Sequence, residues 1–470
     1  MMKVLRLGNS LSKVVLNINN ISLRNYRSKA AVNHSNDWII PDTKITKLTS
    51  GFRIASEDSK LPTATVGVWV NAGSRFENDK NNGVAHFSEH MAFKGTNKRN
   101  QTELELEVEN NGILLNAYTS REQTVYYAKC PSTHIEQAIE ILSDILLNST
   151  YRQNEIEIER DVIMREYFEI ENTVKEVLFD RLHEQAYKNT PLARTILGPR
   201  ENIKSISKND LIRYVHDYYQ GPRMVLAAAG GVNHDQLVEW AEKYFAQVNR
   251  FNPKKVVYEP GIFKECHLVI KDERMPIVHG AFCVEGVSWT NPDNLALMII
   301  HMLIGTFNCT QASGINAPSR LASRLTPRNT VENFMAFSTN YVDTGLTGVY
   351  FEMGKEDGKM LCDAIIDEWR SLTVFDDENA LENTKIALLA NTAMTLDGTT
   401  PICEDIGRQI LCYGRRIPLP EIEARINAVT VETIRKVARK YFFGKPYAFT
   451  IIGPSNNWPS KNYIKKRLDN

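Results

Sequence analysis

Residues 276–306, PIVHGAFCVEGVSWTNPDNLALMIIHMLIGT, read as a strand, a turn and a helix. Strand-forming residues fill the opening, Asn291 and Pro292 punctuate the middle, and Leu295 to Ile304 form an apolar run of helical length. The same order occurs earlier, where TATVGVWVNAGS (63–74) is a strand closed by a turn and residues 83–94 follow as a helix. HMLIGT (301–306) laid over HMAFKGT (90–96) agrees apart from one extra residue and sets His301 beside His90. Such a self-match signals duplication. It predicts an α+β protein of two homologous domains, each a mainly antiparallel sheet flanked by helices.

A chain of 470 residues exceeds one ordinary core. The stretch NRFNPKKVVYEP (249–260), polar and bracketed by Pro253 and Pro260, is the best linker. The expected division is therefore 37–248 for the first domain, 249–262 for the linker and 263–470 for the second domain. Residues 1–36 stand apart. They carry Lys3, Arg6, Lys13, Arg24, Arg27 and Lys29 with no acid before Asp37, the composition of a mitochondrial-type transit peptide. A merely basic tail would share that composition. Lys plus Arg equals Asp plus Glu at 56 each, so a general nucleic-acid binder is excluded. Seven scattered cysteines without a CxxC pair fit free thiols in a reducing compartment.

The first domain holds what the second lacks. GVAHFSEHMAFKGT (83–96) contains His86, Glu89 and His90, whereas the matching positions near Leu297 and Ile300 are apolar. His301 thus reads as a satisfied core histidine. Helix residues four apart share a face, so His86 and His90 can offer both imidazoles to one metal ion. Two neutral imidazoles suit Zn²⁺, whose catalytic sites take three protein ligands and leave one position open. The neighbouring carboxylate of Glu89 can take a proton from water there. The order HxxEH is the HExxH zinc motif reversed. A surface cluster would read the same, and a third ligand decides between them. The helical pattern at 154–188 offers Glu159 and Glu166, seven apart on one face, and does not choose between them.

HFSEHMAFKGT, LNAYTSREQTVYYAK, ERDVIMRE and PLARTILGP together resemble the pitrilysin-like zinc metallopeptidases, and within them the β-type chains of the processing-peptidase branch. The likeness extends into the second half through SRLASRL (319–325) and YVDTGLTGVYFEM (341–353). It implies a zinc metalloendopeptidase that removes N-terminal presequences in the mitochondrial matrix or a related organelle. One Zn²⁺ per chain would be held by His86, His90 and Glu166, with Glu89 as general base. Glu159 would support the site without binding the metal. Glu176 and Asp180 match the family's acids for a substrate arginine, and LLNAYTS (114–120) matches its substrate-binding edge strand, with Asn116 and Ala117 at the centre. The resemblance also implies an α-type partner with a glycine-rich loop. This chain shows no such loop, AAAGGV (227–232) being a strand end, which favours the catalytic role. Core subunits of the ubiquinol–cytochrome c reductase share the family, so a structural role or an association with that complex is the alternative. Ser88 departs from the usual apolar residue, at a position that does not face the metal.

Overall fold

The computed structural model describes residues 41–248, 257–310, 319–325, 331–354, 358–454 and 458–469. The expected transit segment 1–36 and residues 249–256 of the expected linker lie outside the described residues.

The first half contributes strands β1 (Lys44–Lys47), β2 (Arg53–Asp58), β3 (Thr63–Val70), β4 (Leu114–Thr119), β5 (Thr124–Pro131) and β6 (Met224–Gly230). Its helices are α1 (Val84–Ala92), α2 (Gln101–Asn110), α3 (Ile135–Leu147), α4 (Gln153–Glu171), α5 (Val174–Ala186), α6 (Arg200–Ser205), α7 (Lys208–Tyr218) and α8 (His234–Tyr244). The second half supplies β7 (Cys266–Lys271), β8 (Val278–Glu285), β9 (Thr306–Asn308), β10 (Asn333–Asn340), β11 (Gly345–Met353) and β12 (Tyr447–Gly453). Around them lie α9 (Asn294–Ile304), α10 (Arg320–Leu325), α11 (Gly358–Leu372), α12 (Glu378–Thr395), α13 (Thr399–Tyr413), α14 (Leu419–Asn427), α15 (Val431–Phe442) and α16 (Lys461–Asp469). No helix among the described residues is long and apolar enough to cross a membrane.

Each half builds one six-stranded sheet, ordered β1-β2-β6-β3-β5-β4 and β7-β12-β8-β11-β10-β9. The run β2-β6-β3-β5-β4 corresponds strand for strand to β7-β12-β8-β11-β10. In both, the first pair is parallel and the others are antiparallel. The duplication expected from one short self-match is thus written into the topology of two whole sheets.

The halves exchange a helix. Leu178, Phe179 and Leu182 of α5 pack with Ala281, Tyr350 and Ala448 of the second sheet. Reciprocally, Cys403, Ile406 and Ile410 of α13 pack with Trp69, Val125 and Val225 of the first. Leu178, Leu182 and Ile406 are fully buried, each worth about 2 kcal/mol on area grounds. Gly407 permits the approach of α13, because a Cβ there would stand 2.1 Å from Trp69 Cδ2. Arg75 adds a buried polar tie, meeting Glu122 of its own half at 2.7 Å and Asp343 of the other at 2.6 Å.

One difference from the sequence reading concerns 154–188, which forms two helices and not one long pattern. Asn172 caps the end of α4, and Thr173 leaves the helical region at φ −97°, ψ 88°. The Thr173 hydroxyl donates back to Glu169 O at 3.2 Å, the side-chain competition that makes such residues poor in helix interiors. The break turns α5 away toward the other half. The seven cysteines are free thiols.

Candidate metal centre

Helix α1 is buried along its whole length and begins where only glycine fits. Gly83 has φ +106°, and a Cβ on it would lie 2.4 Å from Leu197 O. The first turn is held from outside. Glu77 accepts from Gly83 N at 2.9 Å, Ala85 N at 2.7 Å and Asn82 Nδ2 at 2.7 Å. Burial pushes Glu77 up to about 7 while these donors and Arg194 pull it down. A carboxylate at this end also suits the helix dipole.

One turn apart on α1, the His86 and His90 rings have centroids 4.7 Å apart. Helix α4 packs across α1 and delivers Glu166, whose Oε2 lies 3.6 Å from His86 Nε2 and 3.2 Å from His90 Nε2. Three ligand atoms, one from each residue, lie within 4.8 Å of one another, the only such His/Cys/Asp/Glu group among the described residues. Zinc held at about 2.1 Å in tetrahedral directions places its ligand atoms roughly 3.4 Å apart. The two distances to Glu166 straddle that value, so the trio fits the ion.

The second helical acid falls differently. Glu159 accepts from His90 Nδ1 at 3.0 Å and from Lys94 Nζ at 2.6 Å. Burial works against its charge, but these two partners outweigh it and hold Glu159 below the ordinary carboxylate range. The contact fixes the His90 ring so that Nε2 faces Glu166, the usual duty of an acid behind a metal-binding imidazole. Burial likewise opposes a proton on His90. Hydrogen bonds to Glu159 and Glu166, with the charges of Glu89 and Glu166, override it and raise His90 to about 9. The cluster is thus built to hold positive charge. Glu89 is pushed up to about 7 by burial, with Glu166 adding to the push against His90 and the Thr119 hydroxyl. Ser88 donates to Val84 O at 2.7 Å and plays no part in the cluster.

The residues read as substrate-binding are placed unevenly. Strand β4 ends the first sheet and, among the described residues, pairs only with β5, so its other edge carries no strand partner there. At its centre Ala117 is buried, and Asn116 is engaged within the protein. Its Oδ1 accepts from Ala117 N at 2.8 Å, and its Nδ2 donates to Tyr127 OH at 3.0 Å. Glu176 and Asp180 lie one turn apart on α5. Asp180 accepts from Arg121 Nη2 at 2.7 Å, in the turn between β4 and β5. Sequence reasoning missed Lys94 and Thr119, which touch Glu159 and Glu89, and Glu77 and Arg121, which anchor the start of α1 and Asp180. Their contacts span chain separations that carry no periodic signal. In the second half, His301 Nε2 lies 2.5 Å from Thr347 Oγ1, with Leu297 and Ile300 buried, so no trio forms there.

The family model described as insulinase (peptidase family M16) matches residues 53–200, and the peptidase M16 inactive domain matches residues 205–388. The mitochondrial-processing peptidase subunit beta of Homo sapiens is 49% identical over 430 residues, 91% of this chain and 88% of that protein. The chain belongs to peptidase family M16. Its M16 match contains all of α1 and Glu166, and the half without the trio falls largely in the match described as inactive. The Caenorhabditis elegans protein of the same name is 48% identical, covering 91% of this chain and 93% of that one. Cytochrome b-c1 complex subunit 1 of Mus musculus is 42% identical over 91% of this chain and 90% of that protein. Solved M16-like folds include a chain of complex III2 from Candida albicans (TM-score 0.82, 21% identity, 91% of this chain, 100% of that one). A protease from Helicobacter pylori aligns with TM-score 0.78 at 20% identity, over 88% of this chain and 100% of that one. M16 peptidases are typically zinc-dependent, in keeping with the donor set of α1 and α4.

Proposed function

We propose that this chain is the catalytic β-type subunit of a mitochondrial processing metalloendopeptidase, cutting N-terminal presequences from proteins imported into the matrix. The observation that carries this reading is the gathering of His86, His90 and Glu166 beside Glu89, in a chain 49% identical to a mitochondrial-processing peptidase subunit beta. Those three residues hold one Zn²⁺ per chain. A zinc ion there supplies Lewis acidity to the scissile carbonyl and makes water acidic enough to ionise near neutrality. Glu89 takes the proton of the attacking water and passes it to the leaving amine. Glu159 keeps the His90 ring in register.

The substrate is a basic, extended peptide. It adds to the unpaired edge of β4, with Asn116 and Ala117 setting the local backbone, because strand addition needs no particular sequence. Glu176 and Asp180 receive an arginine of the presequence, Asp180 sharing its charge with Arg121. Residues 37–248 form the catalytic domain, 249–262 the linker and 263–470 the non-catalytic domain, while 1–36 is the chain's own presequence. An α-type subunit with a glycine-rich loop completes the enclosure around the substrate.

Purified chain carrying one zinc per molecule, and cleaving a presequence peptide in the presence of an α-type subunit, is the expected result. A zinc-free, inactive chain recovered only within the respiratory complex would favour the structural-core reading. That reading has the weaker support, 42% identity to a cytochrome b-c1 complex subunit.

A further inference from the structure

Thr119 closes strand β4, and its hydroxyl donates to Glu89 Oε2 at 2.5 Å. Side chains alternate along a strand, so Leu115, Ala117 and Thr119 share one face. Ala117 belongs to the core cluster that also contains Met91 of α1, and Leu115 packs against that cluster. Tyr118 points the other way, its OH 3.3 Å from Glu404 on α13. Strand parity therefore delivers the Thr119 hydroxyl to α1. The strand's end is itself fixed. Thr119 pairs with Thr124 of β5, and the Thr124 hydroxyl donates to Ala72 O at 2.8 Å. The turn that follows is tied down by Arg75 to Glu122 at 2.7 Å and by Arg121 to Asp180 at 2.7 Å.

We propose that Thr119 is the positioning residue for Glu89, holding one carboxylate oxygen so that the other is free to reach the proton of the attacking water. The same strand offers its open edge to the peptide, so one element sets both substrate register and base orientation. This inference rests on reading Glu89 as the general base and β4 as the peptide-binding strand.

The test uses the full chain with its α-type subunit and three variants. T119V keeps the branched shape without the donor, T119A removes the donor and the branch, and T119S keeps the donor. Loss of a hydrogen bond to a charged group predicts a fall in kcat of about ten- to a hundredfold for T119V and T119A. KM and the affinity for an uncleavable presequence analogue stay within about twofold, zinc content is unchanged, and T119S stays within about threefold of wild type. The inference is overturned if T119V and T119A keep kcat within about twofold, or if T119S falls as far as they do. It is equally overturned if their loss of kcat comes with lost zinc or weakened peptide binding, which assigns Thr119 to strand integrity. A zinc-loaded wild type that cuts nothing, or an active E89Q, removes the base itself. That outcome refutes the parent reading and takes this inference with it.

Discussion

At the scale of single residues, the site divides into His86, His90 and Glu166, which offer donor atoms to a metal ion, and side chains that aim those donors. Glu159 touches His90 Nδ1 and Lys94 but is not among the three donor residues. E159Q should therefore weaken zinc affinity by about ten- to a hundredfold without abolishing it, since supporting partners act at that level. Competition with a fluorescent chelator measures this, and an unchanged affinity would contradict the role. E166Q, by contrast, should leave zinc below one equivalent per chain at the same free concentration. The spacing of His86 and His90 was legible because one turn of helix is a sequence-local distance. Choosing Glu166 over Glu159 was not legible from periodicity, for both acids lie on one face of α4. The family resemblance implies Glu166, and in the structure α4 packs on α1 so that Glu166 meets the two Nε2 atoms and Glu159 meets Nδ1.

Among the elements, α1 and α13 show what the sequence conceals. Residues 83–94 read as a helix, yet the anchor of α1, Glu77, lies in the preceding loop and reaches three donors by tertiary geometry. Helix α13 belongs by sequence to the second half. Its actual place is on the first sheet, and nothing in a 3.6-residue period says which sheet a helix will cover. G407A tests that placement. The added methyl would lie 2.1 Å from Trp69 Cδ2 in a fully buried contact, so overpacking should cost about 1–3 kcal/mol and lower the melting temperature. A variant melting with the wild type would contradict the close approach. The break at Asn172–Thr173 belongs to the same lesson: the apolar pattern continued across it, and a local hydroxyl-to-carbonyl bond overrode the pattern.

For the whole molecule, two sheets of matching order are locked by exchanged helices and by the buried Arg75. R75M should loosen the halves more than either sheet. It should raise hydrogen exchange at the turns 120–123 and 341–344 while the sheet interiors keep their protection. The second half also predicts an acid response. Burial lowers His301 from an ordinary 6.5 to about 4. The folded chain thus takes up that proton later than the unfolded one, so this stability is complete above pH 6.5 and is lost as pH falls toward 4. H301N should flatten the drop in melting temperature between about pH 7 and pH 5, and an unchanged slope would contradict the assignment. The proposed peptidase activity rests on two helices of the first half gathering one zinc ion beside a general base. Anomalous diffraction at the zinc edge from zinc-loaded E89Q chain with its α-type subunit tests it most directly. One strong peak within bonding distance of His86, His90 and Glu166 is the predicted result. A peak elsewhere, or none with the Glu166 carboxylate turned from the two rings, would contradict it.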